Sequence, residues 1–221
     1  NQPTFVFDFD STLVAFESLD VLARLALDGT ADSARIGTEI AALTDRAMTG
    51  EIAFGEALRQ RLALLPLTRD HVAAVAARAM ESLTPSIGRN LGFFRNQAGR
   101  IVIVSGGFRE IIAPVAEALG VPADRVLAND LVYDAAGRVT GVDLANPLAG
   151  AGGKVEALNG LDLGGPVVMV GDGWTDAEVR LGGVADRFYA FTEVVRRATV
   201  VAAADGEAAS LDEILHAEGI A

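Results

Sequence analysis

At 221 residues, 51% of them hydrophobic, the chain is long enough to bury a core as one domain or as one domain carrying an insertion, and no apolar run approaches the roughly 18 residues of a membrane span. Thirty acids against 18 bases give a net charge of -12, which argues against a nucleic-acid partner, because binding a phosphate backbone requires a concentrated basic face. Cysteine is absent, so disulfides and thiolate metal sites are excluded; no targeting segment is visible in NQPTFVFDFD, and the cytoplasm is the expected compartment.

PTFVFDFD is a short β-rich run that ends abruptly in acids, which predicts a buried strand stopping at residue 8 or 9. From Glu17 to Ser82 the texture becomes Ala/Leu-rich and amphipathic, interrupted by DGT, TG and PL, and predicts four helices with no strand among them. TPSIGRNLGFFRNQAG predicts a further helix begun at Pro85. RIVIVSGG then reads as a strand with a glycine turn whose amides open the helix FREIIAPVAEALG. RVLANDLVYDAAGRVTGVDL suggests a hairpin around DAAGR. The helix GGKVEALNG, the strand PVVMVGDG, the helix WTDAEVRLGG and short strands at RFYAF and TVVAA complete the pattern. Apolar strands alternating with helices predict an α/β fold: a mostly parallel, Rossmann-like sheet with helices on both faces and a helical block inserted after the first strand.

Open α/β sheets place their sites at the carboxyl ends of the strands, and four such places carry polar residues here. DFDST brings Asp8 and Asp10 together in a turn, although Asp and Ser also cap helices and build turns with no chemistry attached. At SGG, Ser105 offers a hydroxyl, and the amides of Gly106 and Gly107 suit an anion such as phosphate. Lys154 follows a glycine pair and is the only lysine among 18 basic residues, so a random surface position is a weak account of it. GDGWTD supplies Asp172 and Asp176, and carboxylates without His or Cys favour a hard, oxygen-loving cation, Mg²⁺ before Zn²⁺. Together these are the parts that move a phosphoryl group through an aspartyl-phosphate: a carboxylate nucleophile, a second carboxyl for proton transfer, a metal, a hydroxyl with amides, and a cation.

DFDST, SGG, the downstream lysine and GDGWTD, in this order, resemble the haloacid dehalogenase superfamily of aspartate-nucleophile phosphatases, and within it the phosphoserine phosphatase family. The resemblance runs over nearly the full length. It implies a catalytic core over residues 1–14 and 85–221 and a helical cap over 15–84. It implies that Asp8 is the nucleophile and Asp10 the general acid and base. Mg²⁺ would be held by Asp8, Asp10 through its backbone carbonyl, and Asp172, with Asp176 anchoring behind them. Ser105, Gly106 and Lys154 would grip the phosphate, with Asn129 and Thr175 nearby.

In the cap, Glu17 and Arg61 match the family residues that meet the ammonium and carboxylate of the substrate. The chemistry agrees, since a zwitterionic head requires one anion and one cation and arginine offers a carboxylate a bidentate fork. Met48 and Phe54 would wall the pocket. The implied substrate is a small phosphate ester, first of all O-phosphoserine. Another small ester, or transfer of the phosphoryl group to an alcohol, is the alternative within the same chemistry. A receiver-type signalling domain shares the acids, metal, hydroxyl and lysine, but such domains are about half this length and lack a helical insertion. Two residues depart from the family pattern: Trp174 stands where a small residue is usual, and Val155 where glycine is common. The indole is expected either to narrow the site or to pack against a neighbouring loop.

Overall fold

The computed structural model describes residues 2–220. Its first strand, β1 (Thr4–Phe7), is buried at every position. The chain then leaves through α1 (Ser18–Ala26), α2 (Ser33–Met48), α3 (Phe54–Ala63) and α4 (Arg69–Glu81). It returns through α5 (Pro85–Arg89) and α6 (Leu91–Asn96) to β2 (Ile101–Phe108), α7 (Arg109–Leu119) and β3 (Val126–Asn129). A hairpin of β4 (Leu131–Tyr133) and β5 (Val139–Val142) precedes α8 (Gly153–Asn159), β6 (Val167–Gly171) and α9 (Trp174–Leu181). β7 (Arg187–Phe191), α10 (Ala198–Ala203), β8 (Gly206–Ala208) and α11 (Leu211–Ala217) complete the chain.

The main sheet has six strands in the order β3-β2-β1-β6-β7-β8, and every pairing in it is parallel. Alternate residues face opposite sides: Phe5, Phe7, Ile101, Ile103, Val168 and Val170 enter one apolar core, while Val6, Val102, Val104 and Met169 enter the other. A strand buried on both faces reads as a continuous apolar run, which is why FVF, IVIV and VVMV are legible as strands. The register pairs Phe7 with Ile103 on one side and with Val170 on the other, so β1 and β6 end nearly level while β2 runs on to Phe108 beside them. β1 also lies where the strand order reverses direction, and there the loops part to leave a crevice.

The inserted helices bury their own apolar stripe, including Leu22, Ile40, Leu58 and Val75. The chain leaves and re-enters the core side by side, because Val14 and Leu83 form an antiparallel bridge. The far end of the block is tied to the hairpin through backbone hydrogen bonds from Val139 to Leu67 (2.9 Å) and from Arg69 to Gly137 (3.1 Å), and the Arg69 guanidinium lies 3.8 Å from the centre of the Tyr133 ring. No helix among the described residues is long and apolar enough to cross a membrane.

Four local expectations are corrected. TVVAA is not a strand but lies in α10, and the edge strand is GEA at β8. A short apolar run carries no reliable period, and the β-branched Thr-Val-Val is overruled by packing of Val200 into the core. The helix predicted from Pro85 is broken at Asn90 into α5 and α6. RVLAN belongs to the main sheet as β3, so the hairpin begins only at Leu131. SGG does not open a helix: β2 continues through it with an irregular register between Val104 and Phe108, and α7 starts at Arg109.

Candidate active site

Beyond Phe7 the chain coils tightly, with the amides of Leu13 and Val14 both donating to the Phe9 carbonyl at 2.9 and 3.1 Å. This turn forces Ser11 to φ 51°, a left-handed conformation that costs a non-glycine residue about 1–2 kcal/mol. Its hydroxyl donates to Glu17 Oε1 at 2.7 Å and its amide to the Phe16 carbonyl at 3.0 Å, which holds the turn. The result places two carboxylates at the mouth of β1. Asp8, 4% exposed, accepts at Oδ1 from the Phe9 amide (2.7 Å) and from Lys154 (2.9 Å). Its Oδ2 takes no hydrogen bond among the described residues and is free to react.

Asp10 is the opposite case. Desolvation, then Glu17 and Asp8, push its carboxyl well above the ordinary range, against the pull of two donors from Ser18, whose amide reaches Oδ1 at 3.1 Å and whose hydroxyl reaches the same oxygen. Both donors fall on Oδ1, which leaves Oδ2 as the oxygen that would carry a proton. One turn thus presents an Asp8 oxygen without a hydrogen bond among the described residues and, two residues on, a carboxyl held above the ordinary range, an arrangement suited to acid–base chemistry.

Lys154 sits between Asp8 and Asp176, 2.6 Å from the latter, and only 6% of its side chain is exposed. Burial opposes its charge, but Asp176 and Asp8 more than offset that, holding the ammonium above its usual range. The glycines before it have separate reasons: Gly152 takes φ 67°, and Gly153 lies so close to the Pro147 carbonyl that no side chain fits. Asp176 also receives the Gly173 amide at 3.0 Å; desolvation and Asp8 push it up to about 7 while Lys154 and that amide pull it back. Gly171 has no room for a side chain because the Asp176 carboxylate fills the space.

The buried carboxylates of Asp8, Asp172 and Asp176 each offer an oxygen within 4.8 Å of the others. An all-oxygen donor set fits a hard divalent cation. Asp176 already serves Lys154 and Gly173 with its two oxygens, which makes it the anchor of this group, whereas Asp172 is held by Thr12 at 3.2 Å and by Arg197. Arg197 was not singled out from the sequence. It is 8% exposed at its side chain, pairs with Asp172 and lies 3.5 Å from Glu17. Its position after β7, at the same edge of the sheet as the other motifs, is the signal that could have found it.

Ser105, Gly106, Thr175, Met48, Phe54, Glu17 and Arg61 line one cavity with Asp8, Asp10 and Lys154. The Phe54 ring lies against Gly106, leaving no space for a side chain there. Arg61 is 3% exposed, donates to Thr44 Oγ1 at 2.9 Å, and lies 5.7 Å from the centre of the Phe54 ring. Arg59, by contrast, is exposed and pairs with Glu56 on the helix surface, so the two arginines of α3 differ in kind. Asn129 stands beside this cavity without lining it. It is fully buried, and its amide donates to the carbonyls of Gly106 (2.9 Å) and Leu148 (3.2 Å), fixing the loop from behind. Trp174 is also absent from the lining: its indole lies on Gly50, so of the two expectations packing against a neighbouring loop is the one observed. Val155 packs against Gly182 at the end of α9.

A model of the haloacid dehalogenase-like hydrolases matches residues 5–179, and the chain belongs to that family. Within it, the chain is 35% identical over 202 residues to the chloroplastic phosphoserine phosphatase of Arabidopsis thaliana, an alignment covering 90% of this chain and 66% of that one. It is also 35% identical over 175 residues to human phosphoserine phosphatase, covering 78% and 74%. Among solved structures, a phosphoserine phosphohydrolase-like protein from Francisella tularensis superposes with a TM-score of 0.86 at 28% identity, over 98% of this chain and 99% of that one.

Proposed function

We propose that the protein is a phosphatase that hydrolyses O-phosphoserine to serine and phosphate through an aspartyl-phosphate on Asp8. The observation that carries this reading is a single cavity with a phosphate end and a zwitterion end: Asp8 beside the buried Lys154 at its floor, and Glu17 with the buried Arg61 on its cap side. Names of relatives over most of the chain agree with the substrate. In this reading residues 15–84 act as the cap and the remainder as the catalytic core.

The chain's own groups account for the steps. Lys154 offsets phosphate charge that would otherwise repel Asp8, and Ser105 and the Gly106 amide orient the phosphoryl oxygens. Asp8 Oδ2 attacks phosphorus as the bond to the seryl oxygen breaks, and Asp10 gives that oxygen its proton, so serine leaves neutral at the hydroxyl. Asp10, now a carboxylate, takes a proton from water as the water oxygen attacks the acyl phosphate, which releases phosphate and restores Asp8. Asp8, Asp172 and the Asp10 backbone carbonyl would hold Mg²⁺, which supplies charge neutralisation at the transferring phosphoryl group. Phosphate release measured with Mg²⁺ over a panel of phosphorylated amino acids and sugars tests the proposal. Phosphoserine should be turned over far faster than the rest, and no release from it would end the substrate assignment.

A further inference from the structure

The chain's single tryptophan is the first residue of α9, between Asp172 and Asp176 and next to Thr175, yet unlike Thr175 it does not line the cavity. Its ring lies flat against Gly50, in the turn between α2 and α3; a methyl group added to Gly50 would come 2.8 Å from the indole. Gly50 takes φ 79°, so the turn that receives the ring is one only glycine makes easily. Beside this contact, the sulfur of Met48, which lines the cavity, would be 2.8 Å from a methyl group on Gly173. Two glycines and a large ring therefore bring the inserted helices and the Asp172–Asp176 loop into direct apposition, at a different edge from the hairpin's contact with Leu67 and Arg69.

We propose that Trp174 is a positioning residue for substrate recognition: it seats the α2–α3 turn on the core, which brings Met48, Phe54 and Arg61 over the cavity. The inference rests on the phosphoserine reading for the identity of the substrate, though not on the details of the chemistry. A substrate that engages the cap gains from a seated cap, whereas one held by its phosphate alone does not. Loss of the seat lowers the fraction of enzyme in the competent form and raises the apparent dissociation constant in proportion. The ring contacts the cap directly, so ligands that seat the cap should also change the emission of this one fluorophore.

The test compares the parent, Trp174→Ala, Trp174→Phe and Gly50→Ala with phosphoserine and with p-nitrophenyl phosphate, which has neither ammonium nor carboxylate. Trp174→Ala and Gly50→Ala should each raise KM for phosphoserine about tenfold, with kcat changed less than about threefold and KM for the aryl ester unaltered. Trp174→Phe should restore most of the loss. Mg²⁺ affinity, measured by calorimetry on substrate-free protein, should stay within about twofold of the parent. In Asp8→Asn, which lacks the nucleophile of the proposed reaction, phosphoserine should shift the Trp174 emission, and inorganic phosphate should shift it less. Parallel KM losses on both substrates, an altered Mg²⁺ affinity, or no emission change would each overturn the proposal. If Trp174→Ala does not fold, Gly50→Ala and the emission of Asp8→Asn decide alone. A parent inactive on phosphoserine but active on the aryl ester would instead refute the substrate assignment.

Discussion

Replacing Lys154 separates its electrostatic work from its geometric work. Lys154→Met removes the ammonium from between two carboxylates whose side chains are 6% and 0% exposed. Breaking a buried ion pair from one side costs about 3–5 kcal/mol, because the remaining charge is stranded. For a chain of this length about 1 kcal/mol moves Tm by roughly 2–4 °C, so the loss should be about 6–20 °C by calorimetry. The stranded acids can relieve the strain by binding a proton, and burial and Asp8 already push Asp176 up to about 7. A folded state whose carboxyl lies above its unfolded value binds more protons than the unfolded chain, so its stability declines as pH rises through the folded value. The deficit relative to the parent should therefore be larger at pH 8 than at pH 5.

Lys154→Arg keeps the charge but lengthens the side chain in a space closed on both sides, so only about 1–3 kcal/mol of overpacking is expected. Displacement of the cation by about 1 Å should nonetheless reduce turnover about 100-fold. A Lys154→Met deficit independent of pH, or a Lys154→Arg enzyme with parental turnover, would refute the reasoning.

Asp10→Asn should reduce phosphoserine turnover by about 10²–10⁴-fold; with p-nitrophenyl phosphate, whose leaving group does not need a proton, rapid-mixing should show one equivalent of nitrophenol followed by a slow phase, and a linear trace would contradict the double role of Asp10. In the parent, turnover of phosphoserine should fall as pH rises through the elevated Asp10 value, where the acid form is lost, while the first nitrophenol equivalent should not follow that fall. Arg61→Ala should raise KM for phosphoserine at least about tenfold and leave the aryl ester nearly unchanged; equal losses on both would remove Arg61 as the carboxylate clamp. Arg197→Ala removes a cation in contact with Asp172 and should tighten Mg²⁺ binding several-fold by calorimetry, with weaker binding showing that Arg197 instead holds the ligand in place.

Much of the fold was legible because a strand buried on both faces shows an unbroken apolar run and an exposed helix shows a stripe. The same logic failed at TVVAA, where six residues of helix give too few turns for a stripe to emerge, and at GEA, an edge strand of three residues with no apolar signal. At the site, strand-end acids marked Asp8, Asp10, Asp172 and Asp176, while the grouping of these with Glu17 and Arg61 came from a resemblance over the whole chain. Arg197 escaped because one of two adjacent arginines in VVRRATVV looks no different from the other: Arg196 pairs with Glu207 at the surface, and only the folded loop turns Arg197 inward. Spacing brings Asn129 to the right strand end without saying which side of the Gly106 loop it occupies, and the structure sets its amide on the Gly106 carbonyl.

The paired departure and return at Val14 and Leu83 makes the helical block a self-contained loop on an otherwise continuous sheet. Nothing in the order or register of β1, β2 and β6 passes through the intervening helices. Under the proposed function the reacting carboxylates and the lysine belong to one heritable module and most of the side chains that select the substrate to another, and the chain passes between the two only at this narrow splice. Exchange of the segment between those two residues would offer the same chemistry to a different ester while the sheet beneath remained as it is.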